Sequence, residues 1–195
     1  SDVTSMKRMF YDASGLTAPN SRIGDWDVSG VTDMDQLFRE AHAFNQDVGG
    51  WNVSNVTTMY GLFSQAHSFN QDISDWDVSG VENMELLFFG AESFNQDIGD
   101  WDLSSAVSTA NMFRDAHSFN QDLSGWDVSG VENMGQMFRD ARSFDQDIGN
   151  WAVSGVTNMY LMFGGAESFA QELGAWDISN VSNMQYMFDG TALSP

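Results

Sequence analysis

Aspartate recurs at one fixed place in this chain, the middle of a Trp-Asp-Val-type triplet. It stands at Asp27, Asp77, Asp102, Asp127 and Asp177, with Asn52 and Ala152 holding the other two places. Two residues ahead of that place lie Asp75 and Asp100, and Asp25 ahead of the first. A second acidic series, Asp47, Asp72, Asp97, Asp122, Asp147 and Glu172, closes a tetrad that reads Phe-Asn-Gln-Asp in most copies. Rows of carboxylates attract cations and basic side chains, and ligation by oxygen alone suits calcium. The first series therefore admits three readings: a solvated, solubilising face, a surface for a basic protein or peptide, or a divalent-ion site. Asp27, Asn52, Asp75, Asp77, Asp100, Asp102, Asp127 and Asp177 are its candidate partner-binding residues. The second series reads first as a turn whose side chains satisfy backbone groups in its own and neighbouring repeats. Its alternative is calcium, with Asp47, Asp72, Asp97, Asp122 and Asp147 as candidate ligands.

Other chemistries find little support. Cysteine is absent, which excludes disulfides and thiolate metal sites. His42, His67 and His117 share a position with Glu92, Arg142 and Glu167, and exchange for either charge reads as an exposed loop. No GxSxG, HExxH or phosphate-binding loop occurs, and nearly every polar residue repeats whereas catalytic sets do not, so an enzyme is not expected. Seven Lys and Arg against 28 Asp and Glu give a net charge of -21, which repels nucleic acid and anionic lipid. No apolar run approaches the roughly 18 residues of a membrane span.

The elements that position these residues follow from a strict period. Trp26, Trp51, Trp76, Trp101, Trp126, Trp151 and Trp176 are each 25 residues apart and are all the tryptophans present. Such a period predicts an α/β repeat solenoid in which each repeat packs on its neighbours. Residues 1–195 read as a single domain: an irregular first repeat over 1–25, regular repeats over 26–183, and a truncated end over 184–195. Val3 to Ala13 matches Val31 to Ala41 at an offset of 28, so three residues are inserted, within Ser14 to Arg22.

Within one repeat, Ile73 to Val78 alternates at its end and predicts a short parallel strand. Val81, Met84, Leu87, Phe88 and Ala91 are spaced as one face of a short helix. Asp33, Glu82 and Glu132 then suit its first turn, and Arg39, Arg114 and Arg139 its last. The repeating methionines join its core face. At Ala106 to Thr109, AVST replaces VENM, which predicts a looser coil with Val107 filling the gap at the cost of a local register shift.

The pattern Ile73-x-x-Trp76-x-Val78-x-x-Val81 is similar to the leucine-rich-repeat signature. With MxxMFxxAxxFNQDIxxWDVSxVTxM over about residues 3 to 190, the chain resembles the bacterial surface-protein repeat family, the BspA-like branch of that superfamily. The resemblance implies a right-handed coil with one strand and one helix per repeat, the Asp of Trp-Asp-Val on an outward concave sheet, and exposure at the cell surface or secretion. The function it implies is adhesion or binding of a protein partner, without catalysis. The alternative is a stalk or filament segment stacking end to end, with or without calcium stabilisation. The chain opens with SDVTSMKRMF, in mid-repeat and without a leader pattern, and closes at the same phase without a polar cap. A fragment of a longer array, or self-association through uncapped ends, is expected from that. Sequons at Asn52, Asn55 and Asn180 arise from the repeat itself.

Overall fold

A computed structural model describes residues 2–16 and 22–193. The inserted loop falls partly outside them, at 17–21. Successive repeats lie in parallel register, joined by isolated one-residue bridges. Ser5 pairs with Asp33, and Asp33, Thr58, Asn83, Ser108, Asn133, Asn158 and Asn183 then pair in sequence. The first step spans 28 residues and the others 25, as the inserted residues require.

Neither the predicted helix nor the predicted strand forms. Among the described residues the sole helical element is a 3-10 turn at Ile23–Asp25, and pairing is confined to the isolated bridges. The α/β leucine-rich-repeat solenoid, and the concave sheet that was to carry Asp77 and its counterparts, are overturned by that finding.

The predicted helix is instead a run of β-turns. Leu37 donates to the Met34 carbonyl, Arg39 to Gln36 and Ala41 to Phe38, each at 3.1 to 3.2 Å, while the intervening N–H groups of Gln36, Phe38 and Glu40 donate to Tyr60, Leu62 and Ser64 of the next repeat. Half the donors thus bond locally and half bond along the stack. The third residue of every other turn has positive φ, as in Gln36 (55°), Glu40 (62°), Leu86 (58°) and Gln136 (58°), which a type II-like turn demands and a right-handed helix forbids. A helix of about ten residues is marginal alone, whereas bonds to a neighbouring repeat are reinforced by every other contact in the stack. The turn run keeps the inward spacing: Val81, Met84, Leu87, Phe88 and Ala91 are all buried. The helix-end roles of Asp33, Glu82, Glu132 and the arginines disappear with the helix. Arg39, Arg114 and Arg139 pair instead with the next residue, Glu40, Asp115 and Asp140, at 3.2 to 3.4 Å.

The predicted strand is cut by turns that Trp76 closes onto the Ile73 carbonyl at 3.1 Å and Val81 closes onto Val78 at 2.9 Å. The alternation over Trp76, Asp77 and Val78 is kept, with the apolar pair buried and the aspartate exposed. Stacked ring columns fill the interior. The column of Phe38, Phe63 and Phe88 steps by 5.7 to 5.8 Å, and Phe44, Phe69 and Phe94 by 5.9 Å, with the two columns in contact at about 3.9 Å. Trp51 and Trp76 are 6.5 Å apart and nearly parallel.

The AVST segment does not shift the register, since the bridge column runs unbroken through Ser108. Val107 fills nothing: it takes the outward place of Glu82 and Glu132 and is 47% exposed. The smaller Thr109 is fully buried, and its hydroxyl meets the Met137 sulfur at 3.3 Å.

Candidate functional site

Each repeat is bonded to the next by two different means around its circumference. Along the turn run the bonds are backbone to backbone, as described. Along the Phe-Asn-Gln-Asp to Trp-Asp-Val half they come from side chains. Asn70 Oδ1 accepts from the Asn95 N–H at 3.0 Å and from Gln96 Nε2 at 2.8 Å, and Asn95 and Asn120 repeat the arrangement. Asp145 does the same for Ala170 and Gln171. The sequence reading of this tetrad as a turn that bonds neighbouring coils matches this geometry.

The tryptophans carry a bond that the sequence reading did not assign. The indole N–H of Trp76 donates to the Val48 carbonyl at 3.1 Å, and Trp51, Trp101, Trp126, Trp151 and Trp176 each reach the carbonyl 28 residues back. A buried indole N–H needs such an acceptor, so the unvarying tryptophan together with its partner's spacing was the available signal. Also unassigned was the bridge column. There Asp33, Asn83, Asn133, Asn158 and Asn183 accept the N–H two residues on at 3.0 to 3.2 Å. Where Thr58 and Ser108 replace asparagine, their hydroxyls donate to Asp35 and Glu85 of the preceding repeat, each at 2.6 Å.

Both acidic series lie at the surface. In the first, one carboxylate oxygen of Asp27, Asp77, Asp102, Asp127 and Asp177, or the amide oxygen of Asn52, accepts the N–H two residues on at 2.9 to 3.2 Å. In the second, Asp47, Asp72, Asp97, Asp122 and Asp147 make the same turn at 2.8 to 3.0 Å. The proposed functional difference between the two series is therefore not matched by a difference in local geometry. Asp75 and Asp100 are exposed beside the tryptophan.

Hydrogen bonds to the ionised form hold it in place. The Ser104, Ser129 and Ser179 hydroxyls, followed by their N–H groups, pull Asp102, Asp127 and Asp177 below the usual carboxylate range, and Asp127 in the next repeat pushes Asp102 weakly the other way. Asp27 is lowered to about 2, with the Ser29 hydroxyl as the largest cause. Asp72 and Asp122 are lowered chiefly by the N–H groups of Ser74 and Ser124. Among the described residues no group of three or more His, Asp and Glu is gathered as a metal would need, so the carboxylates proposed for calcium stand one per repeat. His42 and His67 stack at 4.5 Å and bond to the Gln65 carbonyl and side chain. Of the sequon amides, Asn55 and Asn180 donate to the Ser29 and Ser154 carbonyls.

No curated protein matches the chain, and no solved structure does. A family model does, described as a Mycoplasma protein of unknown function, DUF285, and it matches residues 4–124 and 97–194. The two matches share residues 97–124. Together they span nearly all of the stacked repeats, and the chain belongs to the DUF285 family of Mycoplasma proteins of unknown function.

Proposed function

We propose that this chain is a non-catalytic recognition module, displayed outside the cell, that binds a basic protein or peptide through its acidic columns. The observation that carries this reading is the fixing of one carboxylate per repeat by a backbone turn, in register over Asp77, Asp102 and Asp127, with the outer oxygen left to solvent. A solubilising charge has no need of an immobilised carboxylate, whereas a docking surface loses less entropy when its charges are already held. A net charge of -21 favours a cationic partner and fast, salt-sensitive association. The resemblance to surface-protein repeats supports the extracellular setting.

The test is a binding screen against displayed peptides and basic proteins, repeated with Asp77→Asn, Asp102→Asn and Asp127→Asn combined. Asn52 already makes the same turn, so the triple variant keeps the fold and loses only charge. Ligands rich in Lys and Arg, released by salt and lost in the variant, are expected. Ligands that bind the variant unchanged would show that the columns are not the docking surface.

A further inference from the structure

The backbone stacks one half of each coil and side chains stack the other, and that division gives the turn run a face of its own. Alternate N–H groups of the run reach the next repeat through the backbone. Its outward places are therefore not held to one residue type. The place of Gln36 is taken by Gly61, Leu86, Asn111, Gln136 and Leu161 in the following repeats, while the Asn-Gln pair of the other half barely changes. All four tyrosines, Tyr11, Tyr60, Tyr160 and Tyr186, lie in turn runs, as do five of the seven basic residues. Over residues 35–40 and the same places through residue 165, three arginines stand against five carboxylates, in a chain with seven cations against 28 acids. Low net charge together with tyrosine and arginine is the composition of a protein interface.

Two neighbouring columns of this face carry opposite charge. One holds Arg39, Arg114 and Arg139, and the next holds Glu40, Asp115 and Asp140, with side chains 29–35% exposed and paired at 3.2 to 3.4 Å. No carboxylate enters the first column between Arg39 and Gly164, and no cation enters the second between Glu40 and Gly165. Phe89 stands in the arginine column with the Arg114 guanidinium over its ring at 5.1 Å, and beside it Gly90 carries no side chain.

We infer that a second copy of this chain docks side by side on this face, about a two-fold axis that runs parallel to the stack between the two charged columns. Such an axis sets Arg114 of each copy against Asp115 of the other, and does the same for Arg139 with Asp140 and Arg39 with Glu40. Each contact then occurs twice, as an isologous interface requires. Phe89 is set over Gly90 of the other copy. An antiparallel pair would lay the arginine column on itself and gain no ion pair. The face carries little of the net charge of -21, so two copies approach there with less repulsion. A two-fold contact closes on itself, and the product is a dimer. These columns are separate from the Asp77, Asp102 and Asp127 column proposed for a basic partner, so either reading can fail alone.

Sedimentation equilibrium of the whole chain tests the inference with the wild type and two variants. The first, Arg114→Asp with Arg139→Asp, lines both columns with acid. The second exchanges the pairs, as Arg114→Asp, Asp115→Arg, Arg139→Asp and Asp140→Arg, which keeps the net charge and each ion pair within its repeat. Arg8 already holds an arginine at a φ of 57°, close to the 58° of Asp115 and 56° of Asp140. The wild type is expected to reach twice its 21.6 kDa monomer mass and stop. The acid variant is expected to dissociate at least about tenfold more readily, since like charges then oppose each other. The exchanged variant is expected to pair with itself but not with the wild type, because a mixed pair sets Arg against Arg and Asp against Asp. Energy transfer between labelled copies reads that choice. A wild type that stays monomeric to near-millimolar concentration overturns the inference and leaves the face to a different protein or to solvent. So does an acid variant that pairs as the wild type does, or an exchanged variant that mixes freely with it.

Discussion

The turn run and a helix make opposite demands on Gln136. Its φ is 58°, and its side chain is half-buried and accepts from Arg139 Nη1 at 2.9 Å. Replacing it with alanine and, separately, with glycine removes the same side-chain contact, so the difference between the two variants isolates the backbone. In a helix interior alanine would be favoured by about 0.8–1.0 kcal/mol. In the left-handed region a Cβ costs about 1–2 kcal/mol, against roughly 0.5–1 kcal/mol for the extra freedom glycine loses on folding. Glycine should therefore lead by about 0.5–1 kcal/mol. At about 2–4 °C per kcal/mol for a chain of this size, Gln136→Gly should melt roughly 1–4 °C above Gln136→Ala. Asp115, also at 58°, supplies a second position for the same comparison. Thermal melts followed by tryptophan fluorescence read the difference. A higher melting temperature for the alanine variants at both positions would refute the turn run and restore the helix.

Asn95→Ala removes one oxygen that serves both the Asn120 N–H and Gln121 Nε2, and should cost about 1–3 kcal/mol in urea unfolding. Asn95→Asp should be nearly neutral, because Asp145 fills the same role two repeats on. Trp101→Phe removes one of the two donors to the Ile73 carbonyl, which the Trp76 N–H still serves, and should destabilise by about 0.5–1.5 kcal/mol for the lost bond, which a comparison of unfolding midpoints will show. Asp102, Asp127 and Asp177 have folded values below their unfolded ones, so the stability they confer is present above the usual carboxylate range. It is lost as pH falls through the lowered folded values. Acid melts of the combined aspartate-to-asparagine variant of Asp102, Asp127 and Asp177 should accordingly show a shallower decline below the usual carboxylate range than the wild type.

Much of the interior was legible because a repeat displays its own packing. Phe69, Ile73, Trp76, Val78, Val81, Met84, Leu87, Phe88 and Ala91 were all readable as inward positions, and all are buried. The Asn-Gln pair was readable as a ladder because short amides bond to nearby backbone. The candidate carboxylates were readable as exposed, but the sheet expected to carry them was not there. Three of the residues from Ile73 to Val78 alternate, which a strand and an extended link between two turns both permit.

The sequence by itself determined the period, the inserted residues of the first repeat, the inward set and the sign of the surface charge, since each is a matter of residue type and spacing. Only the tertiary structure decided the backbone. Spacings of three, three, one and three place the same side chains inward on a helix or on a run of turns, and local propensity does not separate the two. The partner of each alternate N–H lies in the next repeat, 24 residues away in the regular repeats and 27 from the first. Once that bond is available, residues such as Leu86 and Gln136 take up positive φ to reach it, and no pattern within a single repeat contains that information.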